Sequence, residues 1–232
     1  KGSDAVVCIS EFTRQEVLER YPRVPEEKLK VIHGGVDLER FRPCSPGVIK
    51  EHYDLNDYLL CVGEVRPYKN MENVFRALEL WPDGPRLAIS GKFLGDQKDR
   101  LESLAHSLKI ENRIVWLGYV PDDLLPNLYS EATAFIFPSL YEGFGLPLVE
   151  AMACGAPIAC SNTAAMPEVA GDAAEYFDPG SVESMAPAID RLLKDFKLRE
   201  TLSGKALKRA KSFSWKQTAK KTLDVIKEAA VS

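Results

Sequence analysis

The chain has little from which a metal centre could be assembled. Its 232 residues include three histidines and five cysteines. Cys8, Cys44, Cys61, Cys154 and Cys160 form no Cys-x-x-Cys pair and keep no ligand spacing with the histidines. All but Cys44 sit in apolar runs, as small buried hydrophobes of a reducing compartment do. No Asp-x-Asp stretch occurs. No apolar run approaches the ~18 residues a membrane span needs, and no secretory signal is visible. Strong charge is missing too: the formal net charge is -4, so nucleic acid is not the expected partner. Two phosphate motifs are also lacking. The dinucleotide fingerprint would need glycine where Leu148 stands, and no Gly-Lys-Ser/Thr completes a Walker A loop.

What is present is an ordinary globular balance, 45% hydrophobic and 28% charged. The length suits one large domain, or one domain and part of another. The chain does not begin with Met and enters a strand-like run at 5–9 almost at once, so a truncated chain is expected. Ser10 can cap a helix over 11–21, and 29–32 is a second apolar run. Gly34-Gly35 then breaks the chain, with a boundary expected near Val36.

After it, short continuous apolar runs at 58–62, 86–90, 114–117, 134–137, 157–160 and 174–177 each end at glycine, proline or a polar turn. Such runs mark strands buried on both faces. Helical patterns fill the intervals at 71–80, 96–108, 121–131 and 147–154. Three more, at 182–196, 197–211 and 215–230, follow in succession. The alternation predicts an α/β fold: a Rossmann-like parallel sheet with helices on both faces and extra C-terminal helices. Ligands of such sheets bind at the carboxyl ends of strands, here 63–70, 91–95, 138–145 and 161–168.

Two of these ends carry chemistry. In "YEGFGLPLVE", residues 141–150, Gly143 and Gly145 separate a strand from a helix. Glycine allows a sharp turn and close approach to its N–H, and Pro147 suits a first helical turn. The free N–H groups and positive partial charge of a helix start fit an anion, phosphate above all. Glu150 falls in the expected first turn. It reads equally as a surface acid on the helix dipole, worth about 0.3–1 kcal/mol, or as a ligand-binding group. Glu142 lies in the loop, where a carboxylate could accept hydrogen bonds from vicinal sugar hydroxyls. In "GEVRPYKN", residues 63–70, Arg66 and Lys69 stand where cations would pair with phosphate oxygens, Arg in bidentate fashion. They also read as solvated loop cations.

The stretch "SLYEGFGLPLVEAMACGAPIACSNTAAMPEVAGDAA" resembles the signature region of retaining glycosyltransferase family 4, of GT-B fold. Glu142 and Glu150, separated by seven residues, match that family's E-x7-E motif. "VGEVRPYKN", "WLGYVPDDLLPNLYSEATAFIFPS" and "VIHGGVDLERFRP" are similar to it as well, so the resemblance spans nearly the whole chain. It implies a mannosyltransferase- or glucosyltransferase-like enzyme of glycan or polysaccharide synthesis. Glu150 would bind the ribose of a nucleotide-sugar donor, and Glu142 would lie near the donor sugar. Gly143, Phe144, Gly145 and Leu146 would hold the sugar or diphosphate through the backbone. Lys69 would act as electrostatic catalyst for the leaving group in place of a metal. No cofactor is implied; the substrate is a nucleotide-diphosphate sugar such as GDP-mannose or UDP-glucose. Two positions depart from the pattern. Glu64 stands where many members carry Arg, and Arg66 could supply that charge. His33-Gly34-Gly35 stands where Pro-Asn-Gly is frequent.

A GT-B enzyme has two Rossmann-type domains with the site between them. The resemblance makes residues 1–36 a remnant of the acceptor domain and hinge, and 37–212 the donor-binding domain. Residues 213–232 would be a helix crossing back to the missing domain through Ala219, Leu223 and Ile226. The partners implied are the donor and that missing N-terminal domain. Membrane docking would come only through the missing domain, and the expected address is cytoplasmic, where nucleotide sugars are made. Two alternatives share the phosphate logic: a nucleotide-sugar epimerase of GT-B fold and a non-catalytic nucleotide-binding module. The module would not need both glutamates and Lys69.

Overall fold

The computed structural model describes residues 3–231. The first unit is β1 (Val6–Cys8), α1 (Glu11–Arg20) and β2 (Leu29–Val31), with the two strands parallel. Ser10 caps α1 by accepting from the Thr13 N–H, as expected. The rest runs α2 (Val48–Tyr53), β3 (Tyr58–Val62), α3 (Met71–Glu79), β4 (Arg86–Ser90), α4 (Gln97–Ser107), β5 (Ile114–Gly118) and α5 (Leu125–Ser130). It continues β6 (Ala134–Phe137), α6 (Leu146–Ala153), β7 (Ile158–Ser161), α7 (Met166–Ala170) and β8 (Glu175–Phe177). Three helices close it: α8 (Val182–Lys194), α9 (Phe196–Ala210) and α10 (Trp215–Val231).

β3 to β8 form one parallel sheet in the order β5-β4-β3-β6-β7-β8. Every expected strand is present within one residue at either end. The alternation of side chains explains why the runs were continuously apolar. Leu59, Cys61, Leu87, Ile89 and Ile136 pack with Phe75, Leu78, Met185 and Ile189 from α3 and α8. Tyr58, Leu60, Phe135, Phe137 and Cys160 pack on the other face with Leu148, Met152, Val169 and Ala206 from α6, α7 and α9. Fully burying one such Leu or Phe is worth ~1.5–3 kcal/mol.

Three expectations change. The helix expected over 121–131 shortens to α5, because 121–124 form a turn in which Pro121 O accepts from both Leu124 and Leu125. α2 and α7 were not anticipated; at six and five residues they are too short to display a helical period.

The strand order reverses between β3 and β6. From β3 the chain moves through α3 to β4, and from β6 it moves the other way through α6 to β7. Right-handed crossovers place those helices on opposite faces, so the two loops diverge and leave a crevice. At that edge the backbone is close-packed. Gly91, at φ 145°, lies where a Cβ would sit 1.9 Å from Gly63 O.

Gly91→Ala is expected to destabilise the fold by more than ~2 kcal/mol in urea unfolding, because strained backbone and a clash combine. Gly95→Ala, at φ 58° with no atom within 4 Å of its Cβ, should cost only ~1 kcal/mol. Equal losses would show that the close approach at Gly91 does not matter.

Candidate active site

The loop after β3 becomes a 3-10 turn at Pro67–Lys69, ending at Asn70 in the left-handed region, φ 57°. Asn70 is buried and donates from Nδ2 to Pro138 O at 3.1 Å and Pro179 O at 2.7 Å. Leu140 N–H donates to Tyr68 O at 2.8 Å. The loops after β3 and β6 are thus stitched together on either side of the switch point.

Lys69 and Glu142, distant in sequence, meet there. Lys69 Nζ lies 2.5 Å from Glu142 Oε1, and both side chains are only about 15% exposed. Ser139 Oγ donates to the same carboxylate oxygen at 2.9 Å. The ammonium also lies over the Phe137 ring, 5.0 Å from its centroid. Such a pair holds a cation in place more firmly than an exposed loop lysine, whose ion pairs contribute ~0–1 kcal/mol.

Beyond Glu142, the chain enters α6 through Gly145, at φ 90°. Among the described residues, the N–H groups of Gly143, Phe144, Gly145 and Leu146 meet no protein acceptor. Unpaired backbone donors are rare in folded proteins, and four in succession at a helix start form an anion cradle. The Phe144 side chain takes no part in that edge. It is buried, stacked on His33 and set edge-on to Phe213. Leu146 is partly exposed beside the cradle.

Glu150 requires a correction. It is the fifth residue of α6 and sits in the second turn, because the helix starts at Leu146. The helix-dipole reading therefore weakens, since that effect fades beyond the first turn. Glu150 is instead half-buried. Tyr129, fully buried on α5, donates its hydroxyl to Glu150 Oε2 at 2.9 Å. Burial raises the Glu150 carboxyl above its ordinary range, while the Tyr129 hydrogen bond and the Arg40 charge oppose that and Asp122 adds to it.

Arg66 is not aimed at the cradle. Its Nε lies 2.7 Å from Glu64 Oε2, and both side chains are substantially exposed. The two charges offset each other, so Arg66 does not simply replace an Arg at position 64. Sequence reading missed Asn70, Ser139 and Tyr129. Asn70 and Tyr129 act through long-range contacts that leave no period or spacing behind, and Ser139 acts through a turn contact to Glu142 three residues on. A small pocket of about 10 Å³ lies beside Gly63, Lys69 and Ser139, whereas a cavity of about 1070 Å³ opens at the opposite, amino-terminal edge beside Trp81, Thr133 and Phe196. Sheets of this kind bind ligands at the carboxyl edge, where the Lys69–Glu142 pair and the free N–H groups lie.

The parallel sheet has a Rossmann-like order, with free N–H groups and a lysine at its switch point, and the fold is that of a GT-B glycosyltransferase domain. The sequence matches the family described as "Glycosyl transferases group 1" over residues 49–209, and "Glycosyltransferase Family 4" over residues 1–40. The chain belongs to the first of these families. It is 36% identical over 230 residues to O-antigen chain mannosyltransferase B of Escherichia coli, covering 96% of this chain and 60% of that protein. It is 33% identical over 251 residues to a D-inositol 3-phosphate glycosyltransferase of Salinispora tropica, covering 98% and 51%. A sucrose-phosphate synthase from Thermosynechococcus elongatus superposes with a TM-score of 0.88 at 25% identity, covering 99% of this chain and 59% of that one. The chain therefore spans only about half to two thirds of the length of these relatives.

The Glu150 carboxyl is expected to titrate above the usual glutamate range when its Cδ resonance is followed against pH. Its charged form is the one burial disfavours, so that cost is present above its folded pKa and vanishes as pH falls below the ordinary range. Tyr129→Phe removes a hydrogen bond to the charged form and should move the midpoint further up. A midpoint that falls or stays put would show that Tyr129 does not hold the carboxylate.

Proposed function

We propose that this chain is the donor-binding half of a retaining family 4 glycosyltransferase that uses a nucleotide-diphosphate sugar. The observation that carries the reading is the run of four unpaired N–H groups at 143–146 beside Lys69 at the switch point. In this reading the diphosphate sits on those N–H groups and against Lys69. The ammonium then stabilises the charge that grows on the leaving phosphate, a role that needs its position fixed beforehand. Glu142 holds Lys69 and, with its second oxygen, faces the donor sugar. Glu150, held by Tyr129, accepts the ribose hydroxyls in its ionised form. Arg66 reaches the donor only after leaving Glu64. The similarity to a mannosyltransferase supports a hexosyl donor, with GDP-mannose and UDP-glucose as the first to test.

Surface chemistry supports the domain reading. Residues 3–32 form a two-strand piece whose Val6, Val7 and Ile9 are exposed, and α10 leaves Trp215, Leu223 and Ile226 exposed. An acceptor-binding domain seated on β1 and α10 would bury these side chains. Val36 bridges to Ser214, and Thr218 Oγ1 donates to His33 O at 2.8 Å, so chain entry and exit lie together as a hinge would have them. Transfer needs donor and acceptor held together, and this half holds one of them. No helix is long and apolar enough to cross a membrane among the described residues. Nothing in the site favours the epimerase reading.

Calorimetric titration with UDP, GDP and ADP is expected to show one nucleotide binding. Glu150→Ala should weaken it at least ten-fold, about 1.4 kcal/mol, and Lys69→Ala by a similar factor. The chain alone should transfer little or no sugar. Enzyme-like turnover by this chain, or nucleotide affinity indifferent to both substitutions, would contradict the reading.

A further inference from the structure

Glu168 was assigned no role in the donor site, yet it sits at the centre of the contacts that shape it. Its carboxylate accepts the Glu11 N–H at 2.8 Å on Oε1 and the Phe12 N–H at 3.1 Å on Oε2, and Oε1 lies 2.6 Å from His33 Nε2. Glu11 and Phe12 open α1, so Glu168 satisfies amides that the helix itself leaves free, from more than 150 residues away. Its own backbone is fixed. Arg209, on α9, donates to Glu168 O and Val169 O, both at 2.5 Å. One carboxylate therefore ties the first unit of the chain to the six-stranded domain.

What Glu168 fixes then touches the cradle. From α1, the Thr13 hydroxyl donates to Gly143 O at 3.2 Å, Phe12 lies edge-on to Tyr141 at 5.4 Å, and Glu16 accepts from the Tyr141 hydroxyl at 3.4 Å. From the hinge, the His33 ring stacks on Phe144 at 5.8 Å. Tyr141, Gly143 and Phe144 are residues of the very loop whose N–H groups are free. We propose that Glu168 is a positioning residue for nucleotide-diphosphate binding: by holding α1 and His33 it sets the orientation of loop 141–145 without touching the ligand. The proposal rests on the donor-site reading given above. On this proposal an isosteric amide would not substitute. Gln has one acceptor oxygen and one donor nitrogen, so a backbone N–H of α1 would face an N–H.

The test uses UDP and GDP titrations of the wild-type chain, Glu168→Gln and Thr13→Val, with melting curves and amide spectra of each ligand-free protein. Glu168→Gln should melt cooperatively, shift the amide resonances of residues 141–145 and weaken nucleotide binding five-fold or more. Thr13→Val, which removes the hydroxyl that donates to Gly143 O and accepts from Ser10 Oγ, should shift the same resonances and weaken binding in the same direction. A merely structural Glu168 would lower the melting temperature and leave the affinity of the folded protein within two-fold of wild type, which overturns the proposal. Weaker binding without a change in the loop resonances overturns it as well. Should Glu168→Gln fail to fold, Thr13→Val decides by the same two readouts. Should the wild-type chain bind neither nucleotide, the donor-site reading fails, and the loop resonances alone decide whether Glu168 positions the loop.

Discussion

Everything about the site follows from two strands being neighbours. β3 and β6 lie side by side, yet their loops depart in opposite directions to opposite faces of the sheet. A parallel sheet cannot reverse its order without leaving a crevice at that point. The chain bridges this one with the Lys69–Glu142 pair and the Asn70 side chain, and leaves the start of α6 uncovered. The cation is held by a carboxylate and sits over an aromatic ring. The free N–H groups beside it belong to the loop and first residue that open α6. Both are arranged before any ligand arrives, the condition under which charge stabilisation costs no reorganisation.

A second layer of contacts explains how a glycine-rich loop can be definite. Gly143 and Gly145 make the turn close and sharp but supply no side chains to hold it. The holding is done by Phe144, buried against His33 and Phe213, and by Thr13 from the first unit. The cradle is thus built by the six-stranded domain and shaped by residues 3–36. In a two-domain enzyme that arrangement would let movement of one domain be felt at the donor site of the other.

Much of the frame was legible in the sequence. Runs such as "YLLCV" and "RLAIS" end at Gly63 and Gly91, and burial on both faces leaves that plain signature. The glutamates at 142 and 150 were legible through their spacing and the family it resembles. What could not be read was pairing across the chain. Nothing near Lys69 announces Glu142, nothing near Tyr129 announces Glu150, and nothing near Glu168 announces Glu11, because these contacts are made by topology. Glu150 was placed in the first turn because the helix was expected to open at Pro147, whereas it opens one residue earlier, at Leu146. α2 and α7 escaped because a turn and a half of helix has no period to detect.

The most direct test of the account is an amide spectrum of the chain recorded with and without saturating UDP or GDP. The account predicts that perturbed resonances cluster at residues 63–70 and 141–150, the two sides of the β3–β6 crevice. Perturbations confined to the opposite edge of the sheet, around Trp81, Thr133 and Phe196, would contradict it.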